Sequence, residues 1–193
     1  MPANSNTNKT VFELQQLVVT ENNTRAFEQI YLLLYKDLHQ FAYRIIKSNH
    51  IAEEIVSDVF VQLWKNKSTL DKINNLRVFL YVAVKNLALT YLYKANKHRV
   101  CWIEQFANGP EMTSSASSAD DLLNAKELAG NLNKAINNLP VKCKAVFKLV
   151  KEDGLKYQEA AKILNLSIKT IENQMGIALK RLATALNSNI HSN

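Results

Sequence analysis

The sequence predicts an all-α protein of two small helical domains joined by a flexible linker. Only four glycines and three prolines interrupt 193 residues, so few turns are available for a strand-rich fold. Apolar residues recur at spacings of three and four through several long runs, the period of a helix with one buried face. A single stretch, NGPEMTSSASSADD at 108–121, combines a Gly-Pro pair with clustered serines and has no apolar pattern. A hydrophobic content of 47% is ample for a packed core on each side of that break.

Residues 1–23 read as a polar tail. Phe27, Ile30, Leu34, Leu38, Phe41 and Ile45 then trace a helical stripe that ends near Ser48 and Asn49. Ala52, Ile55, Val59 and Leu63 give a second helix its core face, with Glu53, Glu54 and Asp58 toward the other side. The segment KNKSTLDKINN, 65–75, has no sustained period and many turn formers, so an exposed basic loop is expected. A third long helix starts near Leu76, carries Leu80, Ala83, Val84, Leu87 and Tyr91, and ends in the basic residues Lys94, Lys97, His98 and Arg99. These elements place a first domain at 24–106, the linker at 107–121, a second domain at 122–186 and a tail at 187–193.

The second domain ends in LKYQEAAKILNLSIKTIENQMGIALKRL, 155–182. Ala160, Ala161, Ile163 and Leu164 give a short helix a compact apolar side, and Asn165-Leu166-Ser167 breaks it. Ser167 suits an N-cap, since its hydroxyl can accept an orphan N–H of the following helix. Ile171, Met175, Ala178 and Leu182 form that helix's buried stripe, with Lys169, Asn173, Gly176 and Lys180 opposite and Thr170 and Gln174 on the flanks. Such a cationic, amide-bearing face has the donors and acceptors that phosphates and base edges require, which makes the pair a helix-turn-helix. A solvated bundle corner is the bland alternative.

A formal net charge of +7, with lysines crowding the C-terminal part, favours polyanions but does not choose between DNA, RNA and anionic lipid. Cys101 and Cys143 are isolated from each other and from the scattered histidines His39, His50, His98 and His191, so no metal site, cofactor or catalytic constellation is expected. No apolar run approaches the roughly 20 residues that span a bilayer, and residues 1–10 lack a signal-peptide core, so a cytoplasmic protein with no direct membrane insertion is expected.

Three blocks in order, FEQIYLLLYKDLHQFAYRIIKSNHIAEEIVSDVFVQLW (27–64), NLRVFLYVAVKNLALTYL (75–92) and LPVKCKAVFKLVKEDGLKYQEAAKILNLSIKTIENQMGIALKRL (139–182), carry a resemblance. Their succession resembles an extracytoplasmic-function sigma factor of bacterial RNA polymerase, in the sigma-70 family and nearest in character to the iron-citrate-regulator-like group of Bacteroidetes. The resemblance implies a first domain, region 2, that binds core RNA polymerase and opens the -10 element, and a second, region 4, that reads the -35 element of promoter DNA. It implies that the helix bearing Ile55, Asp58, Val59, Phe60, Leu63 and Trp64 docks on the coiled-coil clamp of the largest core subunit. Phe60 and Trp64 beside acidic groups suit an interface anchor; the residues alone leave a core role equally open.

The resemblance further implies that the 65–75 loop, with Lys65, Lys67, Ser68 and Lys72, captures an unstacked base of the non-template strand, and that Arg77 and Asn86 line that strand's path. In region 4 it points to Lys169, Thr170, Asn173, Gln174, Lys180 and Arg181 as the -35 contacts, and it implies a membrane-bound anti-sigma factor as a further partner. Departures accompany it. Thr90 and Tyr93 stand where relatives often carry an acid and an arginine, Lys156 stands where a capping-box serine is common, and Gly176 interrupts the reading helix. A stand-alone helix-turn-helix regulator, with the first half dimerising or sensing, is the alternative.

Overall fold

Each helix forms where an apolar stripe can be buried and a cap can end the ladder, and the chain divides into two units after residue 110. The computed structural model describes residues 3–96, 101–109 and 122–190. The first unit contains α1 (Ala3–Glu21), α2 (Thr24–Ile46), α3 (Asn49–Lys65), a 3-10 segment (Lys67–Lys72), α4 (Leu76–Asn96) and α5 (Trp102–Ala107). The second contains α6 (Leu122–Asn137), α7 (Val141–Phe147), a π-helical turn (Lys148–Glu152), α8 (Tyr157–Leu164) and α9 (Ile168–Ile190).

Helix α2 is the axis of the first unit and packs against α1, α3, α4 and α5. Its stripe Ile30, Leu34, Leu38, Phe41 and Ile45 is buried, as the period required. The Asn23 side chain accepts the Ala26 N–H at its start, and Lys47, at φ 60, closes its end by donating its N–H to the Tyr43 carbonyl. Asn75 caps α4 in the same way by accepting the Val78 N–H at 3.0 Å.

In the first unit, both ends of the domain depart from the sequence expectation. Residues 1–23 are not a polar tail: residues 3–21 are α1, whose Val11, Leu14 and Val18 are buried at spacings of three and four. The first domain also extends past residue 106, because Ala107 and Gly109 are buried on it. A Cβ on Gly109 would lie 2.1 Å from the Arg44 carbonyl oxygen, so the backbone approach that fastens this segment to α2 admits only glycine. Phe106 contributes a fully buried ring 5.2 Å from Phe41, with the Arg44 guanidinium 5.5 Å from its centre. The expected basic cluster Lys97, His98 and Arg99 and most of the linker, 110–121, lie outside the described residues.

In the second unit Ile136, Leu139, Cys143, Ala178 and Leu182 form the core that α6 and α7 share with α9. Gly154, at φ 65, turns the chain out of the π-helical segment toward α8. Lys144 and Lys148, two of the lysines of the C-terminal part, are buried and so are not part of its exposed cationic surface. Helix α9 also runs on through residue 190, into the stretch expected as a tail.

Candidate nucleic-acid interface

The helix-turn-helix is built by three backbone devices. Glu159, itself buried, accepts the Lys156 N–H at 2.8 Å, so half of the capping box survives at α8; an ammonium has no lone pair, and Lys156 cannot supply the other half. Asn165, at φ 56, ends α8 in the left-handed region that asparagine tolerates, and the Leu166 N–H reaches the Ala161 carbonyl. Ser167 then caps α9, its Oγ accepting the Thr170 N–H at 3.0 Å. Buried Ile171, Met175, Ala178 and Leu182 fix the rotation of α9 about its axis.

That rotation decides the reading face. Lys169, Asn173, Lys180 and Arg181 are exposed. Lys169 makes an ion pair with Glu172 at 3.4 Å, both on the surface, where it is weak. Thr170 and Gln174 are half-buried and engaged: Thr170 Oγ1 shares a hydrogen bond with Ser167 Oγ, and Gln174 Oε1 accepts from the Cys143 thiol at 3.0 Å. Burial pushes the Cys143 thiol up from its ordinary pKa, against a smaller opposite pull from Arg181, so it stays a neutral donor. Gly176 is exposed, and a Cβ there would meet nothing within 4 Å.

In the first unit the structure sorts the expected contacts differently. Ile55, Val59, Phe60 and Leu63 are buried, because the face of α3 that carries them packs on α2 and α4. Phe60 is a core aromatic, 4.8 Å from Tyr31 and 6.2 Å from Phe27 by ring centres, and not an exposed anchor. Asp58 is exposed and Trp64 half-exposed, its indole 4.9 Å from Phe27. The outward residues of α3 outside the expected docking set include His50, Glu53, Glu54 and Ser57, which line one shallow acidic depression with Asp58.

Arg77 is also corrected. It is 2% exposed, and its guanidinium pairs with Asp37 at 3.2 Å beneath the start of α4, so it holds α4 to α2 and does not face a strand. Sequence alone could not reveal this, since the partner lies 40 residues away. Lys65, Ser68, Lys72 and Asn86 are exposed. Lys67 is half-buried, its ammonium 4.0 Å from the centre of the Trp64 ring and bonded to the Asn22 side chain. Between α3, the 3-10 segment and α4 runs a partly open groove of about 210 Å³, with Val59, Leu63, Ile73, Phe79, Ala83 and Leu87 as its apolar wall. Val59 and Leu63, buried where α3 packs on its neighbours, line this groove.

Comparison with known proteins bears on both units. Residues 30–98 match the Sigma-70 region 2 family model and residues 129–182 match that of Sigma-70, region 4. The chain is 24% identical over 148 residues to the ECF RNA polymerase sigma factor SigW of Bacillus subtilis, covering 74% of this chain and 79% of that relative. It is 26% identical over 161 residues to the ferric citrate uptake sigma factor FecI of Escherichia coli, covering 83% and 91%. The chain belongs to the extracytoplasmic-function sigma factors of the sigma-70 family. The sigma factor's fold also matches a solved structure of the sigma factor RpoE in complex with the anti-sigma factor NepR from Bartonella quintana, at a TM-score of 0.51 and 24% identity over 83% of this chain and 96% of that one. Region 2 thus corresponds to α2 through α4 and region 4 to the α6–α9 unit, and α1 precedes the region 2 match. The sigma factor binds core RNA polymerase and promoter DNA to direct initiation, which disfavours the stand-alone regulator. Among the described residues no helix is long and apolar enough to cross a membrane.

Proposed function

We propose that this sigma factor divides promoter recognition between the exposed face of α9 and the edge of the 3-10 loop, and that it docks on core polymerase through the acidic face of α3. The carrying observation is the sorting by exposure within each element. On α9 the predicted cations Lys169, Lys180 and Arg181 and the amide of Asn173 lie outside, while the stripe that orients them is buried. Lys169 sits in the first turn, where the positive helix end also favours phosphate. Asn173, with both donor and acceptor, can pair bidentately with a base edge.

At the loop, Lys65, Ser68 and Lys72 present charge and a hydroxyl to a strand, and the adjoining apolar groove offers an unstacked base a wall to lie against. Asp58, with Glu53 and Glu54 beside it, presents an acidic strip on a protein whose net charge is +7, which suits a basic partner surface and steers its approach. The chain acts in the cytoplasm under the control of an anti-sigma factor that the family resemblance makes membrane-bound; the solved complex of RpoE with NepR supports control by an anti-sigma factor. Run-off transcription with purified core polymerase on a randomised promoter pool tests the assignment. Enriched transcripts sharing two spaced elements are expected, and transcription that does not depend on added sigma factor overturns it.

A further inference from the structure

Helix α1 lies outside the region 2 match, yet it holds the 3-10 segment. Gln15 is 1% exposed. Its side-chain amide donates to the Leu70 carbonyl at 2.5 Å and to the Ile73 carbonyl at 2.8 Å, across 55 and 58 residues of sequence. Both acceptors belong to the last turn of the 3-10 segment and the residue after it, and the Leu70 carbonyl accepts the Ile73 N–H at 3.0 Å as well as the amide. One amide therefore uses both of its protons to hold one end of the loop.

The other end is held from the same side. Asn22, which follows α1 in the left-handed region, accepts from the Lys67 ammonium, and that ammonium also lies over Trp64. Packing α1 onto the bundle does not require a polar residue at position 15, because Val11, Leu14 and Val18 already fill the contact. A buried amide is costly unless its donors are satisfied, and here they are satisfied only by the loop backbone. The outward residues Lys65, Ser68 and Lys72 remain exposed on a segment whose main chain is tied down.

We propose that Gln15 is a positioning residue for promoter opening: it pre-sets the backbone of the 3-10 loop so that a base leaving the duplex meets a formed edge. This rests on the reading that the loop captures a base. Ordering the loop in advance removes a conformational cost from the capture step, and that cost would otherwise fall on strand opening.

The test is a double-mutant cycle in the full-length protein with core polymerase. It uses a promoter fragment selected by the wild-type holoenzyme and carrying 2-aminopurine in the opened region. Gln15→Met keeps the length of the side chain and removes both donors. It is expected to slow opening about tenfold and to flatten the preference among the four bases at the captured position, with core affinity within about twofold of wild type. In a protein whose residues 65–75 are replaced by a neutral loop of equal length, the same substitution is expected to add nothing. Wild-type opening and base preference in Gln15→Met overturn the proposal. So does an equal loss in both backgrounds, which marks α1 as a purely structural brace. If the loop replacement alone leaves opening intact, base capture by this loop is wrong and the proposal falls with it; an impaired loop variant beside an unimpaired Gln15→Met removes the proposal only. If Gln15→Met does not fold by circular dichroism, Gln15→Asn takes its place in the cycle. It keeps the amide but shortens its reach by one methylene, and a loss of about threefold confined to the intact-loop background is expected.

Discussion

Lys169 and Asn173 stand one turn apart on the exposed face of α9, but they do different work. A charge near a helix start serves phosphate and carries little sequence information, whereas a mid-helix amide reads a base edge. Lys169→Ala is expected to weaken binding about equally on all -35 variants and to lower the salt slope by about one; Asn173→Ala should cost about 1–3 kcal/mol on the preferred sequence and relax choice at one base pair. Affinities across single-base variants at several salt concentrations separate the two outcomes. On α3, Asp58→Arg reverses an exposed charge without entering the core, so the protein should remain folded while holoenzyme assembly, followed by native gel, falls at least about tenfold. Cysteine chemistry offers a check on the second unit: Cys101 is exposed and Cys143 is buried with a raised thiol pKa. One thiol per native chain should react with a disulfide reagent near neutral pH, and two in denaturant. The identity of Asn173 as an outward amide was legible because the buried stripe at 171, 175, 178 and 182 has an unbroken period. The engagement of Gln174 by Cys143 was not, since nothing in the spacing of two residues 31 apart announces a contact.

At the level of elements, burial depends on what lies opposite. The α3 stripe was readable, but Phe60 borders it and could have faced either way; Tyr31 and Phe27 on α2 turn it inward. Helix α1 had its own signal in Val11, Leu14 and Val18, which the polar residues around them diluted. The 65–75 segment, expected as an exposed basic loop, holds a 3-10 helix with Leu70 buried, and that geometry is held by a donor on another helix. Helix α5 shows the same dependence on a neighbour: Gly109 permits the chain to lie against the Arg44 carbonyl. Gly109→Ala forces that contact apart and is expected to destabilise region 2 by about 1–3 kcal/mol. Urea unfolding followed by tryptophan fluorescence measures the loss, with Trp102 next to Phe41 as a local reporter.

For the whole molecule, the two units match two family models in a fixed order, and each has its own core. Inserting four Gly/Ser residues within 113–118 is expected to change the stability of either unit by less than about 0.5 kcal/mol, since even doubling a loop adds only about 0.6 kcal/mol. Calorimetry of the full-length variant checks it, and a larger drop in either transition would show that the segment is part of a core. The sequence by itself determined the helical class, the break into two domains, the helix-turn-helix and the family, because each follows from local period, capping residues and the order of motifs along one chain. The tertiary structure alone decided which members of those motifs face outward. It took Arg77 inside to Asp37, closed Phe60 into the core, made α1 a helix gripping the 3-10 loop and tied the start of the linker to α2. The physical reason is that burial and hydrogen bonding are settled between residues tens of positions apart, and local periodicity carries no record of the partner.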